Sequence, residues 1–142
     1  MTGNAGKPLV PFEEISRAVR EARFPTDVSA VIAVLRGGRV PASLVAFQLS
    51  RPLHSMRIVF RDDANNPQTA SPRLVGRPAV LSDAAGTVLL VDDVSVSGAT
   101  FAEARRHLGP RRILTVALKG NADIVVMPDL PSGCVRWPWN EE

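Results

Sequence analysis

Val88-Leu89-Leu90-Val91-Asp92-Asp93-Val94-Ser95-Val96-Ser97-Gly98-Ala99-Thr100 is the stretch that decides the fold. Four apolar residues run into two adjacent carboxylates, a short loop of Ser and Gly follows, and a helical pattern begins. The apolar run is too short for a typical helix and predicts a strand covered on both faces, as in a parallel sheet. Gly98 lets a ligand approach the backbone closely, and the loop amides can converge on an anion at the start of the next helix. Carboxylates suit sugar hydroxyls or a hard cation, whereas an amide-rich loop suits a phosphate. A phosphorylated ribose requires both. Read blandly, the same stretch is a strand-to-helix turn capped by Ser97 or Thr100, but a cap requires neither the acidic pair nor the glycine.

Outward from this strand, the chain alternates between apolar runs and helical patterns. Phe12, Ile15, Val19 and Ala22 share one face at helical spacing, with Glu13 and Glu14 early and arginines late, an order that complements a helix dipole. A helix over roughly 11–23 is expected, ended by Pro25. Ala30 to Leu35 is a second buried strand; it empties into Arg36-Gly37-Gly38-Arg39, and Pro41 is expected to open a helix to Leu49. His54 to Phe60 is a weaker strand. Arg61 to Pro72, polar and interrupted by proline, reads as an exposed loop suited to closing over a ligand. Thr100 to Leu108 predicts a helix stopped by Gly109-Pro110, and Ile113 to Leu118 and Ile124 to Met127 are further apolar runs. Such alternation argues for an α/β fold, a mostly parallel twisted sheet flanked by helices. Ligands of such sheets sit beyond the carboxyl ends of the strands, which places Arg36-Gly37-Gly38 and Asp92-Asp93 on one edge.

The 142 residues suggest a single domain with a mobile lead-in at 1–9, and no repeat or linker divides them. Hydrophobic residues make up 45% and charged residues 22%, the balance of a soluble globular protein. No apolar run approaches a membrane span and the N-terminus lacks a secretory core, so no membrane partner and a cytoplasmic setting are expected. Net charge is +3, and fifteen of the seventeen basic residues are arginines, Lys7 and Lys119 being the exceptions. The arginines are scattered and tyrosine is absent, so there is no basic-aromatic platform for a nucleic acid; a polyphosphate substrate fits the charge better. The single Cys134 excludes an internal disulfide or a thiolate metal cluster, and His54 and His107 alone do not make a zinc site.

The segment Val88 to Thr100 resembles the phosphoribosyl-pyrophosphate (PRPP) motif of the type I phosphoribosyltransferases: an apolar strand, an acidic pair (Asp92, Asp93), then Ser97, Gly98 and Thr100. Val31 to Pro41, with Arg36-Gly37-Gly38 at its centre, is similar to the pyrophosphate loop of bacterial xanthine-guanine phosphoribosyltransferases. Val116-Ala117-Leu118-Lys119 resembles their strand ending in a lysine that meets the purine's exocyclic oxygen, and Trp137-Pro138-Trp139-Asn140 their Pro-Trp-acid tail, with Asn in place of the acid. The resemblance spans roughly residues 12–139. It implies an enzyme that transfers 5-phosphoribose from PRPP to a nitrogen base, a purine, with Mg²⁺ as cofactor and a small hood made by the chain termini. It also implies a homo-oligomer, dimer or tetramer.

By the same resemblance, Asp92 and Asp93 are the catalytic pair and hold Mg²⁺ and the ribose hydroxyls. Val96, Ser97, Gly98, Ala99 and Thr100 take the 5-phosphate. Arg36, Gly37 and Gly38 hold pyrophosphate, and Lys119 with the backbone near Val135 meets the base. Three departures bear on the base. The residue before the Ser-Gly pair, usually an Asp that handles the proton on purine N7, is Val96, which can neither give nor take a proton. The stacking aromatic falls at Cys134, and the Arg61–Pro72 loop lacks the Ser-Tyr pair common near its start. The alternative class is a non-catalytic PRPP- or nucleotide-sensing protein of the same fold; pyrophosphate release on a panel of bases separates the two. A nucleotide hydrolase is disfavoured, since no Gly-x4-Gly-Lys-Ser/Thr loop accompanies the acidic strand end.

Overall fold

The computed structural model describes residues 6–60, 71–79, 81 and 85–140. Its elements run α1 (Phe12–Glu21), β1 (Val28–Leu35), α2 (Arg39–Leu49), β2 (Leu53–Val59), β3 (Arg73–Val75), β4 (Thr87–Ser95), α3 (Ala99–Arg106), β5 (Arg112–Gly120) and β6 (Ile124–Val125). Six strands form one sheet in the order β3-β2-β1-β4-β5-β6. All neighbours are parallel except β2 and β3. The mostly parallel α/β sheet expected from the alternation is therefore present, with β1 and β4 adjacent at its centre.

The unbroken apolar runs of β1 and β4 follow from cover on both faces. Val31 and Ala33 of β1, with Leu89 and Val91 of β4, point into one core with Ile15 and Val19 of α1 and Ala42 and Val45 of α2. Ile32 and Val34, with Val88 and Leu90, point into the opposite core with Met56 of β2 and Phe101 and Ala104 of α3. Alternate side chains thus serve different cores, and each fully buried Leu contributes about 1.5–3 kcal/mol. α1 is amphipathic, as its spacing predicts, and buries Ile15 and Val19 while Glu13 and Glu14 occupy its first turn.

Most element ends shift by a residue or two from the sequence expectation, and two boundaries and one added strand bear on the site. α2 begins at Arg39, two residues before Pro41, with Gly38 as its N-cap. Pro41 is the third helical residue, where its missing N–H would lack an intrahelical partner in any case. β4 does not end at Val91 but continues to Ser95, because its ladder with β5 runs on through Asp92↔Ala117, Val94↔Lys119 and Ser95↔Gly120. The acidic pair therefore lies within the strand, not after it. β3 was not anticipated: three residues with their outer positions exposed carry too little pattern to be read. Of the expected mobile loop, residues 61–70 lie outside the described residues.

The two ends of the chain meet. Val10 N–H donates to Arg136 O at 2.9 Å and Arg136 N–H to Pro8 O at 2.8 Å, a short parallel bridge that brings Trp137 into the core of the α1–α2 face. Trp137 and Trp139 stack with ring centroids 5.6 Å apart and planes 8° from parallel. Asn140 Oδ1 accepts from Trp137 N–H at 2.8 Å and closes the turn between them. Among the described residues no helix is long and apolar enough to cross a membrane.

Candidate active site

At the carboxyl edge of the sheet, the loop after β1 and the end of β4 touch. A Cβ on Gly37 would fall on the Asp93 carboxylate, against its Oδ1 and within 2.6 Å of Cγ. One on Gly38 would strike the main-chain oxygen of Val91 and come within 2.7 Å of Val34 O. The Gly-Gly pair is thus required by close approach: Gly37 makes room for an acidic side chain, and Gly38 lets α2 start against the β1–β4 ladder. The Leu35–Arg36 peptide just before them is cis. Arg36 is exposed at the loop's outer side.

Asp92 and Asp93 are hemmed in by protein although part of their surface reaches solvent. Asp92 Oδ1 accepts from Asp93 N–H at 2.8 Å, and Asp93 Oδ1 from Val94 N–H at 2.7 Å, so both side chains are held by the adjoining main chain. Burial pushes the Asp92 carboxyl well above the ordinary carboxylate range; the neighbouring charge of Asp93 and a hydrogen bond to it push the same way. Burial also raises Asp93, offset in part by hydrogen bonds from Asp92, from the Val94 N–H and from the direction of Trp139. The pair behaves as one unit that holds a proton more tightly than a free carboxylate does. Trp139 Nε1 is buried without a hydrogen bond within reach, yet its N–H lies near enough to Asp93 to favour the charged form.

Such a pair gains from a cation that replaces the shared proton. Among the described residues no cluster of three or more His, Cys, Asp or Glu side chains could form an all-protein metal cage. Two carboxylates without a cage suit Mg²⁺, which is held by one or two carboxylates and completes its shell with water and substrate phosphate oxygens. The donor set fits that ion.

Beyond Ser95 the chain turns through Val96, Ser97 and Gly98 into α3. Gly98, the N-cap, has φ +84°, and Ser97 Oγ accepts from Ala99 N–H at 3.2 Å. The glycine therefore serves conformation, since a left-handed φ costs other residues roughly 1–2 kcal/mol. Ala99 and Thr100 begin the helix, whose first-turn N–H groups are the donors expected for a phosphate. Val96 is 68% exposed at the tip of this loop, an apolar side chain presented where an acid is usual in the enzymes it resembles.

Lys119 stands at the end of β5 beside Val94 of β4, two residues past Ala117, the register partner of Asp92, and is half-buried. It is thus on the same edge as Asp92 and Asp93. Val135 is buried in the α1–α2 core with Trp137, so its side chain packs and its main chain alone is left for recognition. Cys134 is exposed. The structure adds two side chains to which the sequence reading gave no place in the site. Trp139 meets Asp93, and Asn121, in the turn after Lys119-Gly120, faces the Val96–Thr100 loop, its Nδ2 being 3.9 Å from a Cβ built on Gly98. The signal for Asn121 was present in the sequence as a Gly-Asn turn directly after a strand.

These features make a strand-loop-helix with an acidic strand end and a glycine loop, and comparison with known proteins gives its family. The model of the phosphoribosyl transferase domain family matches residues 12–119, and the chain belongs to that family. It is a phosphoribosyltransferase by membership, a glycosyltransferase acting on PRPP. Among solved structures, a purine phosphoribosyltransferase from Pyrococcus horikoshii superposes with a TM-score of 0.69 at 24% identity, over 94% of each chain. The xanthine-guanine-hypoxanthine phosphoribosyltransferase of Helicobacter pylori gives 0.68 at 12% identity, over 93% of this chain and 92% of that one. A hypothetical protein from Neisseria gonorrhoeae with bound ppGpp gives 0.61 at 18% identity, over 95% and 90%. At these identities the likeness is one of fold.

Gly37→Ala tests the contact between the loops. The fold should survive, because the added methyl meets the end of a side chain, but Asp93 must move, and Mg·PRPP affinity measured by calorimetry should fall roughly tenfold. Unaltered affinity would show that the Asp93 position is not critical.

Proposed function

We propose that the protein transfers 5-phosphoribose from PRPP to a purine base and releases pyrophosphate. The observation that carries this reading is the meeting of Gly37 with Asp93, which puts a pyrophosphate-type loop against an acidic strand end. In the reaction the bond from the ribose anomeric carbon to pyrophosphate breaks while a bond to a ring nitrogen of the base forms, and the base loses a proton. Positive charge develops on the ribose ring, so catalysis rests on positioning and on stabilising the leaving group.

Asp92 and Asp93 hold the ribose hydroxyls and the cation. When bound there, Mg²⁺ supplies charge neutralisation on the leaving pyrophosphate. Arg36, Gly37 and Gly38 bind pyrophosphate; the amides from Val96 to Thr100, with the Ser97 and Thr100 hydroxyls, bind the 5-phosphate. Lys119 donates to an exocyclic oxygen of the base, beside the backbone near Val135. Support for a purine comes from the purine enzymes that share the fold and from the placement of Lys119 on the site's edge. Family habit supports Mg²⁺, a role in base salvage, a cytoplasmic setting and a homo-oligomer, either dimer or tetramer.

Pyrophosphate release with PRPP and a panel of bases tests the reaction, and its absence with every base would favour a nucleotide sensor. A thermal-shift screen with nucleoside monophosphates names the base. The matching product at about a hundredfold over its Kd should add about 2.7 kcal/mol of stability, against little for the others. A pyrimidine monophosphate that outperforms all purine ones would overturn the choice of base.

A further inference from the structure

The turn after β5 is built with more care than a strand end needs. Thr115 N–H and Oγ1–H donate to Asp123 Oδ2 at 2.9 and 3.2 Å, and Asp123 N–H donates back to Thr115 Oγ1 at 2.9 Å. This clamp closes the chain between β5 and β6. Inside it, Gly120 has φ +106°, and a Cβ there would strike Ser95 O. Asn121 N–H donates to that same oxygen at 2.7 Å. Lys119-Gly120-Asn121 is therefore pressed against the last residue of β4, at the point where the phosphate loop begins.

The consequence falls on the Asn121 side chain. It is exposed, and its amide nitrogen lies 3.9 Å from a Cβ built on Gly98. Gly98 is the loop residue with the left-handed backbone, immediately before the first turn of α3. An uncharged amide beside an anion loop adds a donor without adding a charge to be desolvated. We infer that Asn121 is a further phosphate-binding residue, its side-chain amide donating to the 5-phosphate that the Val96–Thr100 loop holds. The backbone of the same residue is tied to Ser95, which joins the turn that carries Lys119 to the start of the loop. The inference rests on the phosphoribosyl reading of the loop.

The test uses the intact protein and two probes, ribose 5-phosphate and Mg·pyrophosphate, titrated by calorimetry into wild type, Asn121→Ala and Asn121→Asp. Neither substitution touches the Asn121 N–H···Ser95 bond, so melting temperatures should stay close to wild type. Ribose 5-phosphate affinity should fall about 5–10-fold for Ala, the loss of one hydrogen bond to a charged group, and about 30-fold or more for Asp. The extra loss with Asp should shrink as salt is raised, while Mg·pyrophosphate affinity should not change. Equal ribose 5-phosphate affinity in all three proteins would overturn the role of Asn121 and leave the phosphoribosyl reading standing. So would a loss shared by both probes or matched by a drop in melting temperature. Failure of wild type to bind either probe would overturn both.

Discussion

Replacing Asp92 or Asp93 with Asn should reduce Mg·PRPP affinity by about 2–4 kcal/mol, roughly 30- to 1000-fold, as expected for a charge-assisted contact in a hemmed-in site. The main-chain bonds from Asp93 N–H and Val94 N–H end on carboxylate oxygens that an Asn carbonyl can replace, so the strand geometry should persist. The ligand-free Asp92→Asn variant should also be more stable than wild type at pH 8. Both carboxyls are raised in the folded state, so above the ordinary carboxylate range the folded protein binds more protons than the unfolded chain. Stability of the wild type must then decline as pH rises through the raised values. Asn at position 92 removes the share of that decline that Asp92 contributes. The gain, about 0.5–2 kcal/mol by the usual range for relieved functional sites, should diminish as pH falls toward the ordinary carboxylate range, where the wild-type pair keeps its proton. Calorimetric titration and melting curves across that range of pH read both effects; unchanged Mg·PRPP affinity in both single variants would remove the basis of the site.

The second large effect concerns Val96. An acid at this place can exchange a proton with purine N7, help that is typically worth about 10²–10⁴-fold in rate. Val96 cannot do so, and its exposure at the loop tip lets a carboxylate stand there solvated. Val96→Asp should therefore raise the kcat for guanine, hypoxanthine or xanthine by about 10²-fold if one of these is close to the natural base, with little change in KM for PRPP. Steady-state rates on the three bases decide it. Brisk wild-type turnover of guanine that the substitution does not improve would show that proton handling lies elsewhere.

How much of this was legible in the sequence depends on range. Val88 to Val91 and Ala30 to Leu35 were readable as buried strands because a strand covered on both faces has no polar alternation to hide it. The acidic pair and Ser97-Gly98 could be placed because their spacing is local. The continuation of β4 to Ser95 could not be read, since it is imposed by pairing with Val94↔Lys119 and Ser95↔Gly120, partners some twenty-five residues away. For the same reason the sequence could not show why position 37 must be a glycine, since it is Asp93, far along the chain, that occupies the space of the missing side chain. Pro41 misled because proline marks the first turn of a helix without marking which residue of it. The pairing of Val10 with Arg136, and the approach of Trp139 to Asp93, join opposite ends of the chain and leave no local trace.

The stacked tail has a practical corollary. The chain has no tyrosine and two tryptophans, and both belong to the parallel pair at Trp137 and Trp139. Every photon of indole emission, and the coupled near-ultraviolet dichroism of two rings 5.6 Å apart, therefore originates in the hood, a few atoms from Asp93. The protein carries its own label at its active edge, and an optical titration on unmodified material reports that edge without background from the rest of the sheet.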